Sequence, residues 1–87
     1  MKVLKYGPLK LNEDTELYVP SSWDVAHFGV QQYELYVWLV VDDSHDAKVT
    51  FHVAPTGKDM PNKYSYLYSC NDSEFVWHLF WKYSNEY

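Results

Sequence analysis

Near the C-terminus, Phe75-Val76-Trp77-His78-Leu79-Phe80-Trp81-Lys82-Tyr83 sets seven apolar or aromatic side chains in nine positions. A chain of 87 residues has few ways to hide such a segment. It is therefore expected to be the hydrophobic keel of the fold. Two local structures suit it. Its β-branched and aromatic side chains, and an alternating segment that ends one tight turn earlier, predict a strand. A short C-terminal helix is the alternative, capped by Asp72 or Ser73, with Glu74, His78 and Lys82 as a polar stripe. The strand is the preferred reading.

The preceding segments alternate with a period of two. In residues 33–41, Tyr33, Leu35, Val37, Leu39 and Val41 define one face, and Tyr36, Trp38 and Val40 the other. That pattern predicts a central strand covered on both sides. Val49, Phe51 and Val53 alternate with Lys48, Thr50 and His52, and Leu17 and Val19 flank Tyr18. Residues 64–70 read as Tyr64, Tyr66, Tyr68 and Cys70 against Ser65, Leu67 and Ser69. Gly7-Pro8 interrupts the first segment, as suits a kinked edge strand, because proline has no N–H to donate. Gly29 marks a bulge or a close approach of backbone. Turns are expected at 12–14, 20–22, 31–34, 42–46 and 71–73, and a polar loop at 58–63. The predicted fold is one mostly β domain over residues 1–87, a small antiparallel sheet folded as a sandwich or a partly closed barrel.

Composition narrows the function. Seven lysines face twelve acids, and arginine is absent, for a net charge of −5. Without the guanidinium fork and with an acidic balance, nucleic-acid binding is not expected. An acidic, aromatic surface suits a basic protein partner. One cysteine, Cys70, permits no internal disulfide, which predicts a reducing, cytoplasmic setting and a small core or half-buried thiol. The longest apolar run, residues 35–41, is far short of the roughly 20 needed for a membrane-spanning helix.

No catalytic constellation is legible. His27, His45, His52 and His78 lie on different segments without paired metal-ligand spacing, so neither metal nor cofactor is expected. His78, inside an apolar run, reads as a hydrogen-bonded histidine at a seam. Residues 54–58 lack the glycine and hydroxyl positions of a phosphate loop. The candidate partner-binding residues are the Tyr64, Tyr66 and Tyr68 row, the acids Asp42, Asp43 and Asp46, and Trp81. The tyrosines can anchor a protein contact or half-bury against neighbouring rings. The acids, with Glu13, Asp14, Asp59 and Asp72, can gather at one end or remain solvated turns.

Several pieces, in order, carry a resemblance: Lys5-Tyr6 with Leu9, Val19-Pro20, Val37-Trp38-Leu39-Val40-Val41-Asp42, Phe51, Thr56-Gly57, Tyr66-Leu67-Tyr68 and Phe75-Val76-Trp77-His78-Leu79-Phe80. Together they resemble a family of small phage- and prophage-encoded domains of unknown function. Such domains open on a Lys-Tyr-Pro-Leu-like strand and close on a Phe-Val-Phe-His-Val-Phe-like one. This chain departs at 31–34, where the family tends to have Asn-Gly, and after Thr56-Gly57, where His-Pro is missing. The resemblance implies a phage origin and a β fold, and carries no established activity. The resulting expectation is a non-enzymatic phage protein in the host cytoplasm. It would bind a host protein and block a defence or host-takeover target. A protein that sequesters a nucleotide-like small molecule, or a homo-oligomeric structural protein, are the alternatives.

Overall fold

The computed structural model describes residues 1–84. Seven strands follow in order: β1 (Lys2–Leu9), β2 (Asp14–Pro20), β3 (Trp23–Gln31), β4 (Glu34–Val41), β5 (Asp46–Pro55), β6 (Ser65–Asp72) and β7 (Phe75–Tyr83). They form two antiparallel sheets, β1-β4-β3 and β2-β5-β7-β6. The architecture is a two-sheet sandwich, not a closed barrel. No helix occurs among the described residues, so the C-terminal helix alternative is overturned. Phe75–Tyr83 pairs with β5 along one side and β6 along the other. Two ladders satisfy its backbone, and the i, i+4 polar stripe has no helix to sit on.

The inner faces interlock through Leu35, Val37, Leu39 and Val41 of β4 and Val49, Phe51 and Val53 of β5, joined by Leu9, Val19, Phe28 and Leu79. Period-two alternation aims these side chains at one layer. The keel therefore lies in β4 and β5. The C-terminal strand adds one fully buried side chain, Leu79, while Phe75, Val76 and Tyr83 are exposed.

Irregular backbone accounts for other departures from simple alternation. The Gly7–Pro8 bond is cis, Gly7 has φ +134°, and the β1–β4 register shifts between Tyr6 and Leu9. A side chain at Gly7 would meet the Tyr36 ring at 2.9 Å. Gly29 admits the His27 ring, whose Nε2 would lie 2.6 Å from an added Cβ. The approach is by a side chain and not by backbone, and the register shift of β3 lies earlier, between Val25 and His27. The β3–β4 hairpin closes on Gln32 and Tyr33, both at positive φ (52° and 69°), the sign required by a type I′ turn. Tyr33 thus occupies the turn, 99% exposed, and not the inner face assigned from alternation.

Residues 56–64 leave β5 and return to the start of β6 across the outside of the four-stranded sheet. This strap brings Tyr64 against β2 and β5, and it positions the site described next.

Candidate functional site

The outer face of β5 carries Thr50, His52 and Ala54, all buried. The register sets His52 opposite Asp14 on β2 and Phe80 on β7. His52 Nδ1 lies 2.7 Å from Asp14 Oδ1, and the Lys58 ammonium lies 2.9 Å from His52 Nε2. An ammonium can only donate, so in the neutral ring Nε2 accepts and the proton on Nδ1 is aimed at Asp14. Lys58 also donates to Asn12 Oδ1 at 2.7 Å. The Tyr64 hydroxyl donates to both carboxylate oxygens of Asp14, at 2.8 and 3.0 Å. Burial pushes Asp14 upward, but hydrogen bonds from His52 and Tyr64, with electrostatic attraction from His52 and Lys82, outweigh it. The carboxyl is held below its usual range. Burial, the hydrogen bond to Asp14 and that carboxylate's charge push the Tyr64 phenol up to about 12. Between the strap and β2 lies an open groove of ≈ 530 Å³, lined in part by Lys58, Lys63, Met60 and Tyr64.

A second network crosses β6 and β7. The Tyr66 hydroxyl lies 2.8 Å from Ser69 Oγ, which lies 2.6 Å from His78 Nδ1. His78 Nε2 lies 2.8 Å from Thr56 Oγ1 on the strap, and that hydroxyl donates to the Val76 carbonyl at 3.4 Å. Thr56 therefore accepts from Nε2, and Ser69 donates to Nδ1. Both nitrogens of His78 are satisfied, as its place in an apolar run leads one to expect. Beside this network stand Tyr66, 56% exposed with its ring 5.7 Å from Phe80, and Val76, 40% exposed.

The tyrosine row divides. The β6–β7 register shifts between Tyr66 and Tyr68, and a bulge of this kind sends later side chains to the opposite face. Tyr64 is tied to Asp14, Tyr66 faces outward, and Tyr68 turns to His27 of the other sheet at 6.4 Å. Leu67 and Cys70 pack against the core, and burial, with the charge of Asp72, raises the Cys70 thiol. The acids do not gather either. Asp42, Asp43 and Asp46 lie at the end that holds Met1 and Pro20, with Asp42 3.5 Å from the Met1 amino group. Glu13, Asp14 and Asp59 lie toward the other end. Trp81 is half-buried against Trp23, ring centroids 4.9 Å apart. The four histidines occupy separate surroundings, and no cluster of three or more potential metal-ligating side chains occurs among the described residues. Sequence reasoning missed the Asp14–His52–Lys58–Tyr64 cluster. Asp14 is far from the other three in the chain, and the available signals were His52 among the outward positions of β5 and the separately named Tyr64 and Asp14.

These features define a class: a small two-sheet antiparallel β-sandwich whose longest connection straps a polar cluster onto one outer face. The chain belongs to a family described as a domain of unknown function (DUF7352), matched over residues 1–87. Neither a curated protein nor a solved structure matches it.

Proposed function

We propose that the chain acts by binding another protein through the outer face of β6 and β7. The observation that carries this reading is Tyr66, exposed opposite Phe80 yet oriented by its hydroxyl on Ser69. An aromatic side chain held in one orientation loses little freedom on docking and is the kind of anchor that dominates protein interfaces. The net charge of −5 favours a basic partner. The resemblance drawn from the sequence supports a phage setting; in that setting the proposed target is a host protein and the proposed consequence its inhibition. The test is affinity capture with the tagged chain beside its Tyr66→Ala variant. A protein whose recovery falls about tenfold or more with the variant, while both stay folded, supports the reading. Recovery that ignores Tyr66 overturns it.

A second reading, a site for a nucleotide-like small molecule, is favoured by the strap groove. Lys58 there hydrogen-bonds Asn12 and His52, and Lys63 lines the same groove, together with Glu13 and Asp14. A thermal shift with nucleotides or inorganic phosphate, abolished by Lys58→Met, would support it.

A further inference from the structure

Two sheets leave four edge strands, and three of them are broken. β1 carries the Tyr6/Leu9 shift at its Gly7–Pro8 kink, β3 the Val25/His27 shift, and β6 the Tyr66/Tyr68 shift. Such interruptions blunt an edge by spoiling the row of free N–H and C=O groups that another strand would need. β2 is different. It pairs with β5 at every position from Asp14 to Pro20 without a shift. Among the described residues, nothing hydrogen-bonds the backbone groups of β2 that face away from β5. Nor does β2 carry a lysine, the common edge guard; its charges are Asp14 and Glu16, next to Glu13.

We propose that β2 is a strand-addition site for an extended, basic segment of another protein. Antiparallel pairing sets partner side chains opposite Asp14, Glu16 and Tyr18 on the outer face, roughly 5 Å away between Cβ atoms. Asp14 is already engaged by His52 and Tyr64. Lysine or arginine therefore suits Glu16, which is half-exposed 3.6 Å from Lys48, and an apolar side chain suits Tyr18, which is 66% exposed. On the inner side Leu17 is half-buried and accepts a β-branched neighbour. A second copy of this chain fits worse: β2 against β2 would bring Asp14 and Glu16 of two molecules, each of net charge −5, onto one face. The main-chain bonds supply affinity without regard to sequence, and Glu16 selects the partner's charge. The site lies on the edge opposite β6 and does not depend on the Tyr66 face.

The test uses the full chain, isotopically labelled, titrated to about millimolar with the acetylated and amidated peptide Thr-Lys-Val-Lys-Val-Lys-Thr. The expected result is chemical-shift change and slowed amide exchange along β2. Binding should weaken about tenfold with Glu16→Lys, disappear when alternate peptide nitrogens are methylated, and persist with Tyr66→Ala. A Glu-for-Lys peptide should not bind. No binding, equal binding of the acidic peptide, or shifts confined to the strap groove or to the β6–β7 face would overturn the proposal. So would sedimentation showing the chain self-associated through β2.

Discussion

β5 and β7 run side by side in one sheet, yet their burial inverts their composition. β7 holds seven apolar or aromatic residues in nine and buries one completely. β5 alternates with Lys48, Thr50 and His52, yet every side chain from Val49 to Ala54 is buried. Both are interior strands, so sheet position alone does not separate them. The difference is cover. Sheet β1-β4-β3 lies over the inner face of β5, and on the outside Tyr64 and Lys58 of the strap close over His52, while Ser84 closes over Thr50 at 2.6 Å. The outer side of β7 stays open around Val76 and Tyr66. Burial here belongs to the layers that meet on a strand, not to the strand's own hydropathy.

The largest test of that contrast is a phenylalanine truncation on each strand. Phe51→Ala removes a fully buried ring and is expected to lower unfolding free energy by about 3–5 kcal/mol. That approaches the total stability of a domain this size. Phe75→Ala removes a ring that is 63% exposed and stacked on Trp77; its expected cost is under about 1 kcal/mol. Urea denaturation of both variants reads the difference. Equal losses would return the keel to β7.

An intermediate effect belongs to the cover over β5. Asp14 titrates below its usual value in the folded chain, so the folded state binds its proton less readily than the unfolded one. The stabilisation is present above the ordinary carboxylate range and is lost as pH falls below about 4 through the lowered value. Tyr64 shifts the other way, to about 12. Its contribution is complete below about pH 10 and is lost as pH rises from there toward 12. Asp14→Asn should flatten the acid limb of stability against pH, bring the Tyr64 phenol back toward its ordinary range, and lower stability at neutral pH by about 1–3 kcal/mol. Thermal melts across pH, with phenolate absorbance for Tyr64, check all three. An unchanged acid limb would mean that the strap does not hold Asp14.

Much of the strand layout is legible from residues 33–41 and 48–53, because alternation in a sandwich maps directly onto inner and outer faces. Leu17, Val19, Val37 and Phe51 all fall where that rule puts them. The rule fails wherever one residue slips. The shift at Tyr66/Tyr68 breaks a clean run of alternate tyrosines, and Tyr33 leaves the strand for a turn at positive φ without the Asn-Gly pair that usually announces one. The candidate site was legible in part: Tyr64, Tyr66 and Asp14 were named, whereas the meeting of Asp14 and Tyr64 with His52 and Lys58 depends on a long connection that crosses the sheet. Periodicity reports on a strand's two faces; it carries no signal for a loop that covers one of them.

The smallest predicted effect isolates cover from composition most directly, because the same chemical change is made on both strands. Valine to threonine keeps the shape and β-branching while exchanging a methyl for a hydroxyl. Val53 is 1% exposed on the inner face of β5, and Val76 is 40% exposed at the start of β7. Val53→Thr buries a hydroxyl among Phe51, Leu79 and the β4 side chains and should cost about 1–3 kcal/mol. Val76→Thr leaves its hydroxyl in water, and stability should change by no more than about 0.5 kcal/mol. If β7 were the keel, the two losses would match. If only β5 is capped on both faces, Val76→Thr melts like the parent chain, and any effect it has falls on capture of a partner at the Tyr66 face.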